Sequence, residues 1–374
     1  MGVSQAHHEL IKKINRSLVL ETIKTSQPIS RVEITKELNL SKSTVSAIVD
    51  DLLERKLVSE LGEGSSTKEG GRRARLLGFN PDSGYGIGVD IGGTKILVII
   101  TNLNGTVVFR KKVKTTNRIE EIVELIKQCM LEANINESKV IGMGIGVPGT
   151  TNIHEGIIIQ ASALMWTNLN LIELISPQFS FPVFLNNDVN CAALGERWLG
   201  SGDNSNEIFF IGIGTGIGSA LISNGNIIYG YEYRSGEIGY FISREDVEGK
   251  NFNKMGENAV FEKKVSGTSL SNHGYPSEEL FIEYSKGSSE AVPIINDFIV
   301  ELSIGIANVT SLLNPEIVII GGGVSESMKI VINKIQDLVN KLTPIKTNIK
   351  LASLGGDAGA LGAIAYTFQQ VEYS

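Results

Sequence analysis

Apolar residues at Ile11, Ile14, Leu18 and Ile23 recur with helical spacing from His8 to Thr25, and Pro28 closes that element. Ser30, followed three residues later by Glu33, has the capping-box pattern and opens a second helix running to about Leu38. After the turn Asn39-Leu40-Ser41, a third helix capped by Ser41 carries Val45, Ile48, Val49, Leu52 and Leu53, the spacing of one buried face. Strand patterns then take over. Leu57 to Leu61 and Ala74 to Phe79 predict paired strands, and Gly84 to Thr101 reads as strand, glycine turn and strand, with Asp90 to Thr94 as the turn. Val107 to Val113 follows the hairpin signal Asn104-Gly105, Ile119 to Leu131 is an amphipathic helix, and Lys139 to Val147 is a buried strand. A strand at Val183 to Leu185 leads into a helix from Val189 to about Leu199. Ile208 to Ile222 repeats the earlier strand, glycine turn with threonine, and strand. Ile317 to Ile320 is a further buried strand, and Gly355 to Phe368 a small-residue helix able to pack closely.

The opening elements have a direct chemical implication. Two short helices joined by a tight turn form a helix-turn-helix, whose second helix presents its N-terminal residues to the major groove. Lys42, Ser43, Thr44 and Ser46 are placed for that, with Ser41 and Arg31 beside them. The paired strands add a wing whose tip holds Lys68, Gly70, Gly71, Arg72 and Arg73, with Arg75 just after it, basic enough to follow phosphates or enter a narrow minor groove. A DNA-binding head over residues 1–80 is expected.

Charge supports the division. Residues 1–80 hold 13 Lys and Arg against 10 Asp and Glu, whereas the remainder holds 21 against 31. At 374 residues the chain fits more than one domain, and we expect α/β lobes at 81–188 and 189–374, with the C-terminal helix packing back on the first. No run of 18 uncharged apolar residues occurs and the N-terminus has no apolar segment behind its charges. A soluble, cytoplasmic protein without membrane contact is therefore expected. Two cysteines, Cys129 and Cys191, supply neither a disulfide framework nor a cysteine-rich metal site.

The turn after the first body strand is a candidate phosphate loop. Gly92 and Gly93 let backbone N–H groups approach an anion, Thr94 adds a hydroxyl, and Asp90 can hold a metal ion or its water shell. An ordinary glycine-rich hairpin has the same pattern, and Lys95 follows Thr94 where a Walker A loop needs the reverse order. Gly212 to Gly218 (GIGTGIG) offers no register for GxGxxG and leads into a strand, which argues against a dinucleotide site. Two similar loops some 120 residues apart suggest two similar halves facing one cleft.

Together these segments resemble the ROK family of repressors and sugar kinases, and their order resembles its transcriptional-repressor branch, that of the xylose repressors. The carrying motifs are GGRR (Gly70 to Arg73), DIGGTK (Asp90 to Lys95), GIGVPG (Gly144 to Gly149), NDVNCAALGE (Asn187 to Glu196), GIGTGIG, GEIGY (Gly236 to Tyr240), Glu262 in FEKKVSG, and IGGGVS (Ile320 to Ser325). The resemblance implies a two-lobed, actin-like ATPase body behind a winged helix-turn-helix, a dimer or tetramer on operator DNA, and a monosaccharide in the cleft. It implies sugar-hydroxyl contacts for Asn187, Asp188, Glu237 and Glu262. In kinases of the family Asp188 would be the general base, and Asp90, Gly92, Gly93, Thr94, Lys95, Gly214, Thr215, Gly216 and Gly322 would hold Mg-ATP. Taken alone, Asp188 reads as a helix N-cap or an acid in the first turn of a helix. The chain departs from zinc-binding members: Tyr240 replaces a histidine, and Gly256-Glu257-Asn258-Ala259 replaces a cysteine cluster. No structural zinc is expected, and the departure bears on the sugar contact of that histidine and the position of Glu262. A sugar-responsive repressor is the leading expectation, with an ATP-dependent sugar kinase as the alternative.

Overall fold

The structure, a computed structural model, describes residues 2–63, 74–254 and 259–371. It divides into two compact units, the first being Met1–Tyr85 with Thr101–Thr106 and Gln370–Ser374, the second Gly86–Ile100 with Val107–Gln369. The head contains α1 (Gly2–Ser26), β1 (Ile29–Ser30), α2 (Arg31–Leu38), α3 (Lys42–Glu54), β2 (Val58–Glu63) and β3 (Arg75–Phe79).

Both expected caps are present. Ser30 Oγ accepts the Glu33 N–H, and the Glu33 carboxylate receives the Ser30 hydroxyl at 2.7 Å and its N–H at 2.8 Å, which hold that carboxyl below its ordinary range. Ser41 Oγ accepts the Thr44 N–H at 3.1 Å, starting α3. Val45, Val49 and Leu52 of α3, Ile34 of α2, Val19 and Ile23 of α1 and Leu77 of β3 are all fully buried. β1, β3 and β2 form an antiparallel sheet in that order, with a register shift between Glu60 and Gly62. The helix-turn-helix thus carries a wing, as its sequence indicates.

The body is built twice. Its first half comprises β4 (Tyr85–Ile91), β5 (Lys95–Asn102), β6 (Val107–Lys114), α4 (Ile119–Glu132), β7 (Val140–Val147), β8 (Thr150–Asn152), β9 (Ile157–Ala161), β10 (Trp166–Asn170), α5 (Leu171–Ile175), β11 (Val183–Asn187) and α6 (Asp188–Leu199). The second comprises β12 (Ile208–Ile213), β13 (Ile217–Ser223), β14 (Asn226–Ile227), α7 (Arg244–Glu248), α8 (Glu262–Val265), α9 (Gly267–Ser271), α10 (Ser277–Ser285), α11 (Ala291–Leu313), β15 (Ile317–Gly321), α12 (Ile332–Leu342), β16 (Asn348–Leu351) and α13 (Ala358–Gln370). The sheet orders are β11-β7-β4-β5-β6 and β14-β13-β12-β15-β16. In each, three successive strands lie side by side and the last two follow on the far side of the first. With the β8–β10 sheet and α7 to α10 set aside as insertions, both halves read βββαβαβα. The weak internal repeat of the two glycine loops is therefore a repeat of whole halves, and α6 and α13 are counterparts.

These two helices are tightly joined. A Cβ on Gly362 of α13 would lie 1.5 Å from the Cys191 carbonyl oxygen of α6, so their backbones touch where they cross. α13 also rests on the first sheet, because a Cβ on Gly88 would lie 2.0 Å from the Ala360 carbonyl oxygen. Only glycine permits that approach.

α11 is long and apolar enough to cross a membrane by length and composition. Asp297 and Glu301 interrupt it, and its Ile295, Phe298, Leu302 and Ile306 are buried in the core that contains Phe281 and Val318. It is a core helix of the second half.

Candidate functional site

Asn187 and Asp188 stand where β11 becomes α6. Asn187 is the cap: its Oδ1 accepts the N–H groups of Val189 at 2.8 Å and Asn190 at 3.1 Å, while its Nδ2 donates to the Gly149 carbonyl at 2.8 Å. Much of its amide is thereby used in shaping the turn. Asp188 follows on the cavity wall, where burial raises its pKa against the lowering effect of the Val189 N–H. At the end of β4, Asp90 is pushed up to about 7 by burial and by the nearby charge of Asp188, with Lys95 opposing. Two carboxylates and one ammonium group thus meet at the base of the cleft.

The opposite wall comes from the second half. A Cβ on Gly236 (φ 87°) would lie 2.4 Å from the Ser219 carbonyl oxygen, so glycine is required just before Glu237. Desolvation raises the Glu237 pKa, Arg234 opposes it and Glu262 adds to it. Glu262 opens α8 and accepts the Ile217 N–H at 3.2 Å. Asp90, Lys95, Asn187, Asp188, Glu237 and Glu262 all line one cavity of about 1270 Å³.

Gly214, Thr215, Gly216 and Gly322 line the same cavity. Gly92, Gly93 and Thr94 do not. The Gly92 N–H donates to the Lys95 carbonyl at 2.9 Å, and the Thr94 carbonyl accepts the Thr115 N–H at 3.2 Å. The first glycine turn is therefore closed on itself as a hairpin, and from it only Asp90 and Lys95 reach the cleft.

Tyr240 lies outside the cavity lining, and Gly256 to Asn258 lie outside the described residues. Asn253 joins the segments around them: its Nδ2 donates to the Tyr240 carbonyl and its Oδ1 accepts the Val260 N–H, both at 2.8 Å. The Phe261 N–H adds a bond to the Gly239 carbonyl at 3.0 Å. Among the described residues no group of three or more His, Cys, Asp or Glu side chains is placed to hold a metal ion.

Sequence reasoning did not single out Asn253, which carries no motif. It also missed the role of Glu196, although that residue closes the NDVNCAALGE stretch. Glu196 is fully buried, and its carboxylate accepts the N–H groups of Ser201, Ser353 and Leu354. Ala352, Ser353, Gly355 and Gly356 line the cavity, so Glu196 sets the course of a wall-forming loop from behind.

In the head, Lys42 and Ser43 are exposed at the start of α3, with Thr44 and Ser46 half-buried beside them. Ser41 is occupied in capping. Arg31 pairs with Asp50 at 2.7 Å and reaches the Ser46 carbonyl at 3.4 Å, while Arg75 pairs with Glu60 across the wing strands at 2.5 Å. Both arginines are thus engaged in solvent-exposed ion pairs within the head. Lys68, Arg72 and Arg73 lie outside the described residues.

Residues 86–370 match the ROK family and residues 13–66 the MarR family. The xylose repressor of Bacillus spizizenii is 31% identical, over 96% of this chain and 95% of that protein. A glucokinase of Halalkalibacterium halodurans is 28% identical over 74% of this chain and 92% of its own length. The crystal structure of a ROK family transcriptional regulator, a homologue of the E. coli MLC protein, superposes with a TM-score of 0.81 at 22% identity, covering 97% of both chains.

Proposed function

Because the chain belongs to the ROK family, we propose that it is a transcriptional repressor of carbohydrate-use genes, binding operator DNA as a homodimer in the cytoplasm and taking a monosaccharide effector in the cleft. The observation that carries this reading is the union, in one chain, of a winged helix-turn-helix with a cavity whose walls present Asn187, Asp188, Glu237 and Glu262. A polyol is held by several donors and acceptors at fixed geometry, which three carboxylates and an amide provide. The sugar acts as a signal by binding one conformation more tightly than the other. The name of the Bacillus relative makes D-xylose the first effector to try.

A second reading, a sugar kinase that also binds DNA, is favoured by the retention of Asp90 and Asp188 and by a cavity larger than one monosaccharide needs. The glycine walls fit a nucleotide's phosphates, since a Cβ on Gly214 or Gly323 would meet nothing within 4 Å. Gly214, Gly216 and Gly322 would line the phosphates and Asp90 would face the cation. Mg-ATP would supply the phosphoryl group when bound, and Asp188 would take the proton of the attacking hydroxyl.

The test is fluorescence anisotropy of the full-length protein on labelled fragments of the promoter adjoining its own gene, titrated with aldoses, ketoses and their phosphates. One sugar that changes DNA affinity by about tenfold or more without ATP supports the repressor. Absence of DNA binding, or DNA binding insensitive to every sugar, refutes it.

A further inference from the structure

Between β14 and Glu237 the chain runs through a segment of unusual backbone. Gly230 (φ 68°), Glu232 (φ 53°), Tyr233 (φ 60°) and Gly236 (φ 87°) all adopt the left-handed region within seven residues. Glycine tolerates this freely, but glutamate and tyrosine do not, because their Cβ crowds the following carbonyl. Such strain persists where neighbouring bonds impose it, and it concentrates at sites of function. Here the Ser235 N–H donates to the Tyr229 carbonyl at 3.0 Å and Ser219 Oγ donates to the Gly236 carbonyl at 2.5 Å, pinning both ends.

The strained backbone sets Tyr233 on the cavity wall, four residues before Glu237. Its ring centroid lies 6.3 Å from Tyr229, edge to face, and 5.8 Å from His154. His154 belongs to the turn between β8 and β9, in the other half of the body, so this aromatic cluster joins segments of both halves beside the cavity. Tyr229 lines the cavity as well, and its hydroxyl accepts a 2.9 Å bond from Asn186 Nδ2. Aromatic wall and carboxylates therefore share one chamber.

We propose that Tyr233, supported by Tyr229, is the specificity-determining residue of the cleft. It offers an aromatic face to the axial C–H bonds of a neutral aldopyranose while Asp188, Glu237 and Glu262 take the hydroxyls. A sugar phosphate is disfavoured beside those carboxylates, and an acyclic polyol lacks a ring face to stack. The assignment rests on the reading of the cleft as a monosaccharide site.

Calorimetric titration of the full-length protein and of its Tyr233→Gly and Tyr233→Phe variants with D-xylose, D-glucose and xylitol tests it. Tyr233→Gly weakens whichever aldopyranose binds by about tenfold, while relief of the left-handed backbone offsets the ring packing lost against Tyr229 and His154, so the thermal midpoint of the ligand-free protein changes little. Tyr233→Phe keeps the affinity within about threefold, and xylitol does not bind. Lost affinity with a steady midpoint distinguishes a ligand contact from a packing residue, for which both would fall. A Tyr233→Gly variant binding within about threefold of wild type, or xylitol bound as well as D-xylose, overturns the proposal. Wild-type protein that binds neither aldopyranose instead refutes the monosaccharide reading itself, and is seen before any variant is compared.

Discussion

Glu196 and Leu354, 158 residues apart, are joined by a hydrogen bond of 2.8 Å from the Leu354 N–H to a carboxylate with no exposed surface. The same carboxylate gathers the Ser353 N–H at 3.0 Å and the Ser201 N–H at 2.8 Å. Removing it leaves three part-buried donors unpaired, a cost of roughly 1–3 kcal/mol for each one that water cannot reach. Glu196→Ala should therefore destabilise the body by about 3 kcal/mol. Glu196→Gln should cost less, because one oxygen remains while its amide group faces donors. Urea unfolding of both variants checks the order.

Asp90 predicts a pH dependence whose sign is opposite to that of a paired carboxylate. Its native pKa of about 7 lies above the unfolded value of about 3.9. Between those values the native state holds a proton that the unfolded chain has released, so this group's contribution falls as pH rises from about 4 to about 7. Asp90→Asn removes that loss. The variant should match wild type near pH 4 and be more stable at pH 8, by about 2 kcal/mol once partial solvent access is allowed for. Thermal unfolding across that range decides it.

Asp188→Asn separates the two functional readings. Sugar phosphorylation, if wild type shows it with Mg-ATP, should fall by at least about a hundredfold while operator binding persists, because the head contains none of the cleft residues. Turnover retained in the variant would remove Asp188 from the proton-accepting role. A coupled assay for ADP release, run beside a DNA-binding assay, gives both readouts.

Asn253→Ala should weaken sugar binding about fivefold, by releasing the segment that carries Glu262 from the one that carries Glu237. It should also cost about 1–2 kcal/mol of stability through the two lost bonds. Asn253→Asp keeps the acceptor for the Val260 N–H but loses the donor to the Tyr240 carbonyl, and should fall between. Titration with the effector sugar measures the first effect and denaturation the second.

For the head, Arg72→Ala with Arg73→Ala should weaken binding to all sequences and lower the slope of log affinity against log salt by about 2, one unit for each lost phosphate contact. Arg31→Ala should leave that slope unchanged and lower the stability of the head instead, since its guanidinium is engaged with Asp50. Affinity measured at several salt concentrations separates the two classes.

Much of this architecture was legible because its signals are local. The Ser30–Glu33 and Ser41–Thr44 caps, the α3 stripe and the glycine hairpin turns depend on residues within four or so positions of each other, and each appears where its pattern places it. The repressor reading also followed from motif order, and the full-length likeness to a xylose repressor agrees with it. What escaped depends on contacts between distant segments. Short strands such as Thr150–Asn152 are too brief for alternation to register, and Glu196 looks like any helical acid until Ser353 and Leu354 fold against it. The loop at Gly92 to Thr94 could not be resolved from sequence for a related reason: a hairpin turn and an anion loop share a composition, and the destination of the Gly92 N–H is known only once Lys95 folds over it.

The crossing of Gly362 over Cys191 limits how the cleft can close. Main chain meets main chain there, so no side chain can repack to let one helix slide along the other. Like the rivet of a pair of scissors, such a contact opposes sliding of one helix along the other and leaves rotation about it as the less costly motion, hinge rather than shear. α6 begins at Asp188, and α13 has Gly359 against Asp90 in its first turn, so both blades carry their cutting edge close to the pivot. A small angular change forced by a ligand at those two acids is magnified with distance from the rivet, and the far ends of the two halves move most.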